Sequence, residues 1–200
     1  MEIPDQELIA EPLSVAEARS WFETNSSPIL SMSEGLGQVS MKSDNNGKGP
    51  KRLLQPDWTH AFTSTRGHLE TVETHLRANL FQGRGNAASK AKMQETGNFG
   101  YMVPLSRLVV LRDRKKNTTE SFIMTMTGDV DYIESKNYQL WTNTYFQKDH
   151  NFSGTVRYHN LEGNFVNGWQ MENGKVTGKF IQLEAMPMTP GETCTVHWES

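Results

Sequence analysis

Hydrophobic and polar positions alternate with a period of two through much of the second half of the chain. Between Phe152 and Leu183 the alternation runs through three segments, separated by Glu162-Gly163 and Asn173-Gly174. A Gly-bearing pair between two alternating runs signals a hairpin, because a type I′ turn needs positive φ at both central residues. Two-residue loops at both places set a register. Leu161 then faces Asn164 and Glu172 faces Lys175. Val156 lies opposite Trp169, which lies opposite Gly178, and Tyr158 lies opposite Asn167, which lies opposite Phe180.

Successive strand residues point to opposite sides. One face of this meander therefore gathers Val156, Tyr158, Phe165, Trp169, Met171, Val176 and Phe180. The other carries mostly polar residues such as Thr155, Arg157, His159, Gln170, Lys175 and Lys179, with Leu161, Val166, Ile181 and Leu183 as apolar exceptions. One dry and one wet face is the pattern of an antiparallel sheet. Gly178 is expected to leave room for the Trp169 indole.

Upstream patterns add further elements. Ser14-Val15-Ala16-Glu17 has the spacing of a capping box, and Val15, Ala18 and Phe22 then share one face of a helix ending near Asn25. Residues 26–55 are rich in Ser, Gly, Asn and Lys and read as a long loop. Trp58 to Arg77 reads as a hairpin around Arg66-Gly67. A helix is expected over 87–95, with Arg84, Lys90 and Lys92 giving local positive charge. RLVVLR at 107–112 and the Phe122–Thr127 run form a third hairpin, and Asp129 is placed to cap a short helix over 130–135. The fold class is mainly β: an antiparallel multi-hairpin sheet forming a partly closed barrel or sandwich, with an N-terminal helix and short accessory helices, α+β being the alternative. Residues 1–13 read as an extended tether and 14–200 as a single domain.

The run FSGTVRYHNLEGNFVNGWQMENGKVTGK, with RLVVLRD and the Phe122–Thr127 strand, resembles a family of uncharacterised secreted or lipoprotein-type proteins from Bacteroidetes, which carry similar FSG…Y…L-x-G-x-F-x-N-G-W…NGK runs. The resemblance spans 58–183. It implies export to the periplasm, an outer-membrane surface or the extracellular space, with Met1 following a removed leader that could have carried a lipid anchor. It implies no activity, and no catalytic residue is carried over.

Composition narrows the classes. Net charge is −3 and there is no basic excess, which argues against a nucleic-acid partner. No apolar run reaches membrane-spanning length. The single cysteine, Cys194, cannot form an intrachain disulfide. Mean hydropathy is low, −0.63, yet nine Phe, five Trp and five Tyr supply core-forming residues.

Two constellations could carry chemistry. With the 66–67 turn, His60 falls opposite Glu73 and Trp58 opposite His75, so His60, Glu73 and His75 share a face. Two imidazoles and a carboxylate can ligate Zn or Fe with a position left open for water. The second constellation is aromatic: Tyr138, Trp141 and Tyr145 stand among Asn and Gln, the mixture that stacks on and hydrogen-bonds a glycan or peptide. No nucleophile triad and no phosphate-binding glycine loop is present. The leading expectation is a non-enzymatic, exported binding or cell-envelope interaction module needing no cofactor. The alternatives are a metal-dependent hydrolase or lyase using the His/Glu/His cluster, and a purely structural envelope protein.

Overall fold

A computed structural model of the chain describes residues 11–25, 30–32, 39–41, 52–78 and 86–181. Cys194, the tail beyond residue 181 and most of the 1–13 tether lie outside the described residues. The architecture is mainly β, an antiparallel sheet with three helices that does not close on itself.

The strands are β1 (Leu30–Met32), β2 (Val39–Met41), β3 (Arg52–Pro56), β4 (Phe62–Arg66), β5 (Leu69–Ala78), β6 (Leu105–Asp113), β7 (Thr118–Gly128), β8 (Gly154–His159), β9 (Phe165–Glu172) and β10 (Lys175–Ile181). Their order among the described residues is β1-β2-β3-β5-β6-β7-β8-β9-β10, with β4 also paired to β5. β3 pairs with residues 76–78 and β4 with residues 69–73, so both lie end to end along one side of β5. The 26–55 segment, read from sequence as loop, contributes β1, β2 and most of β3. Three-residue strands surrounded by Ser, Gly and Asn leave too short an alternation to detect.

Side chains of alternate parity cover two separate cores. On one face α1 (Val15–Asn25) packs Ala18 and Phe22 against Leu54, Val72, Leu76, Leu108, Val110 and Ile123. Its start is fixed as the capping box requires: Glu17 N–H donates to Ser14 Oγ at 3.2 Å, and Ser14 N–H donates to Glu17 Oε2 at 2.9 Å. Leu13 is buried, and its N–H donates to the buried Glu70 carboxylate, which also pairs with Arg112 at 2.7 Å.

On the opposite face lie Val109, Met124, Met126, Val156 and Met171, covered by Tyr132 and Ile133 of α3 (Val130–Ser135), by Phe152 and by Tyr101. α2 (Ala87–Thr96) begins where Asn86 Oδ1 accepts from Ser89 N–H at 2.8 Å and ends at Gly97 in the left-handed region. The β4–β5, β6–β7 and β8–β9 turns all lie at one end of the sheet. Residues 86–104 and the 129–153 connection, which leaves from the other end, lie over this second face.

The meander follows the expected register in part. Val156 does face Trp169, Tyr158 faces Asn167, and Glu172 faces Lys175 across Asn173-Gly174, whose φ values of 47° and 72° suit a type I′ turn. Two irregularities change the rest. A shift between Tyr158 and His159 lengthens the β8–β9 turn and pairs His159 with Phe165, moving that ring to the α1-side face. A bulge at Thr177 places Lys179, not Gly178, opposite Trp169, and Phe180 opposite Gly168. Phe180 therefore faces away from Val156 and Trp169, with the Arg157 guanidinium 5.6 Å from its ring centre. Gly178 is not the space for the indole. Lys179 Nζ sits there, 5.6 Å from the Trp169 ring.

Candidate functional site

The expected His60–Glu73–His75 face does not assemble. The β4–β5 reversal uses Gly67-His68, so Glu73 pairs with Phe62 rather than His60. The backbone preceding β4 turns into a short 3₁₀ segment, Trp58–His60, and leaves the ladder. His60 is exposed and its Nδ1 lies 2.8 Å from Asp57 Oδ2. Asp57 accepts from the Thr59 hydroxyl first and from His60, which together hold its carboxyl down at about 2. His75 is half-buried, edge-on to Trp141 with ring centres 6.0 Å apart, and burial lowers its pKa. Among the described residues no three His, Cys, Asp or Glu side chains group closely enough to hold a metal ion.

Glu73 has a different partner set. It is fully buried, and Arg107, also buried, points a guanidinium at it with Nη1 3.5 Å from Oε2. The Tyr145 N–H donates to Glu73 Oε1 at 2.8 Å, and Arg107 Nη2 donates to the Trp141 carbonyl at 2.6 Å. Arg107 also stands 4.7 Å over the Phe62 ring. Lys148 Nζ donates to the carbonyls of Thr144 and Tyr145. Burial raises the Glu73 pKa against the opposing pull of the Tyr145 N–H, Arg107 and Lys148. Burial also lowers Lys148 to about 8. These charges take backbone groups of the 139–149 segment as ligands, which is how a stretch without helix or strand is pinned to a sheet face.

A second polar network fixes the same segment from its far side. Asp149 Oδ2 accepts from the Tyr132 hydroxyl at 2.7 Å and the Thr142 hydroxyl at 2.9 Å, and pairs with Lys136 at 2.8 Å. Burial alone would raise its pKa, but these bonds bring it down. The buried Asn143 amide donates to Tyr132 Oη and accepts from Asp149 N–H.

So anchored, the segment forms one wall of a cleft of about 920 Å³ at the turn end of the sheet. Tyr145 and Phe146 supply that wall. Phe122, Tyr158 and Trp169 supply the sheet side, Glu120, Asn160 and Asn167 its polar positions, and Arg66 to Leu69 the rim. Tyr145 packs with Phe122 at 5.4 Å, Phe146 at 5.1 Å and Tyr158 at 6.1 Å between ring centres. Of the three aromatic candidates read from sequence, Tyr145 lines this cleft. Trp141 and Tyr138 do not: Trp141 is exposed beside His75, and Tyr138 packs edge-on to Tyr101 at 5.2 Å, donating to its hydroxyl. The sequence reading assigned Tyr158 and Trp169 to core packing. Their alternation with Val156 and Met171 gives no sign that the cover stops before the end of the strands.

The burial of Lys148 has a measurable consequence. Its folded pKa lies below that of a free lysine, so between about pH 8 and 10.5 the unfolded chain binds more protons, and stability rises with pH there. The destabilisation is fully present below pH 8. Denaturant unfolding at pH 8 and 9.5 is expected to show wild type gaining about 1–2 kcal/mol relative to Lys148→Met. Parallel pH profiles for the two proteins would show that Lys148 is solvated.

Comparison with protein-family models, with curated proteins and with solved structures finds no match for this chain. No helix among the described residues is long and apolar enough to cross a membrane.

Proposed function

We propose that the protein is a non-enzymatic binding module whose ligand occupies the cleft between the 145–146 wall and the β7–β9 surface. The observation that carries this reading is the cleft itself, close to the upper end of the roughly 300–1,000 Å³ range of small-molecule sites and lined by five aromatic rings with polar groups among them. The buried Glu73–Arg107–Lys148 group lies behind the wall and is tied to its backbone, Glu73 through the Tyr145 N–H, Arg107 through the Trp141 carbonyl and Lys148 through the Thr144 and Tyr145 carbonyls. That arrangement suits positioning rather than proton transfer to a ligand. An exported location belongs to the same proposal, supported by the sequence resemblance of residues 58–183.

A thermal-shift screen of a chemically broad small-molecule library tests the reading. A ligand present at 100 times its Kd stabilises the folded state by about 2.7 kcal/mol, so true ligands raise Tm by several degrees. The shift is expected to vanish in Trp169→Ala and in Tyr145→Ala proteins that keep the wild-type circular dichroism. Shifts that persist in both variants, or a screen with no hit, would reject the cleft as the binding site.

A further inference from the structure

We infer that the cleft takes a neutral, hydroxyl-rich ring, the pyranose unit of a glycan. This inference rests on the cleft reading above and names its ligand class. Two features of the lining carry it.

The first is the balance of charge. The ionised groups of the lining are Arg66 and Glu120, one of each sign, while His68 lies 3.7 Å from Asp113. Neither an anion nor a cation finds a net counter-charge on the walls. Behind the wall Glu73 is paired with Arg107, and the Lys148 ammonium beside them is turned to the Thr144 and Tyr145 carbonyls.

The second is unspent hydrogen-bonding capacity. The hydroxyls of Tyr145 and Tyr158 are hydrogen-bonded to no described residue, although both rings are partly buried. Asn160 uses its amide oxygen to accept from Asn164 N–H at 2.8 Å, which leaves its NH₂ group to donate. An acyl chain or a quaternary ammonium ion in the cleft would dry these groups without pairing them, at about 1–3 kcal/mol for each. A sugar presents donors and acceptors around its rim and apolar C–H faces that lie against aromatic rings, so it satisfies both halves of the lining.

The test is titration of the full chain, followed by tryptophan fluorescence and calorimetry. The probes are hexamers of β-1,4-glucose, α-1,4-glucose, N-acetylglucosamine and mannose, with benzoate, decanoate, tetramethylammonium and a neutral hexapeptide as comparators. At least one oligosaccharide is expected to bind saturably with one site per chain. Trp169→Ala should abolish that binding. Tyr158→Phe, which keeps the ring and removes only the hydroxyl, should weaken it about 3- to 10-fold. Both variants are first checked for wild-type circular dichroism and melting. A comparator that binds in a Trp169-dependent manner, with no sugar binding, overturns the ligand class and leaves the cleft reading standing. Sugar binding that is unchanged in both variants overturns this inference. Failure of every probe does so too, and the cleft reading then stands or falls on the thermal-shift screen.

Discussion

Arg107→Ala is expected to lower stability by about 3–5 kcal/mol, the usual cost of removing one partner of a buried ion pair. For a chain of this size that is a fall in Tm of about 10 °C. Several losses coincide. Glu73, fully buried, loses its guanidinium partner, the Trp141 carbonyl loses its donor, and the Phe62 ring loses the cation above it. Because Glu73 also holds the Tyr145 N–H, the damage extends to the cleft wall. The variant should therefore lose ligand-dependent thermal shifts even at temperatures where it is folded. Arg107→Ala with Glu73→Gln tests the cause: removing the stranded charge should recover part of the lost stability. A single variant within about 1 kcal/mol of wild type would show that the pair is solvated and does not anchor the segment.

Gly154→Ala is expected to be more damaging still, at more than about 4 kcal/mol. Gly154 pairs with Gly128 where β7 and β8 converge, and its φ is +147°, a conformation that side chains with a Cβ avoid. A Cβ there would stand 2.1 Å from the Thr127 carbonyl oxygen and 2.8 Å from the Gly128 Cα, both backbone atoms that cannot rotate away. The change would force β7 and β8 apart at the closed end of the 129–153 excursion. Gly178→Ala provides the contrast. Its nearest neighbour would be Gln170 Cβ at 3.4 Å, ordinary contact distance, so a change of less than about 1 kcal/mol is expected. Urea denaturation of the two variants decides the point, and equal costs would mean that β7 and β8 separate readily enough at Gly154 to admit a Cβ.

Local chemistry carried most of what the sequence revealed. α1 starts at its capping box, α3 spans 130–135 although the Asp129 carboxylate accepts from Asn86 instead of capping it, the β6–β7 hairpin forms, and the β9–β10 turn falls at Asn173-Gly174. Each of these depends on residues within a few positions of one another. The failures involve single-residue slips and distant partners. Moving the β4–β5 turn from Arg66-Gly67 to Gly67-His68 was enough to replace His60 by Phe62 opposite Glu73. The bulge at Thr177 sent Phe180 to the other side of the sheet because side-chain direction has period two.

From sequence, Glu73 was a metal-ligand candidate and Arg107 the first residue of the apolar run 107–112. They are buried because the 129–153 connection folds over them, and no local pattern announces that. One signal was present. Glu70 and Arg112 lie directly opposite in the β5–β6 ladder, and Glu73 lies one step diagonally from Arg107. Charges matched across neighbouring central strands point to a sheet covered on both sides. The cleft was half legible: Tyr145 was singled out, whereas Tyr158 and Trp169 were read as interior because the limit of the cover is a tertiary property.

The irregularity at Thr177 also bears on the border that β10 presents. β10 is the last strand of the order among the described residues, and it presents Val176 and Ile181 to solvent at 57% and 58% exposure. A straight, apolar border of that kind would template end-on growth into fibrils. The extra residue twists the border locally, and Lys175 and Lys179 on either side repel a like strand approaching in the same orientation. The kink that displaced Phe180 thus makes β10 a poorer template for an added strand than a regular strand would be.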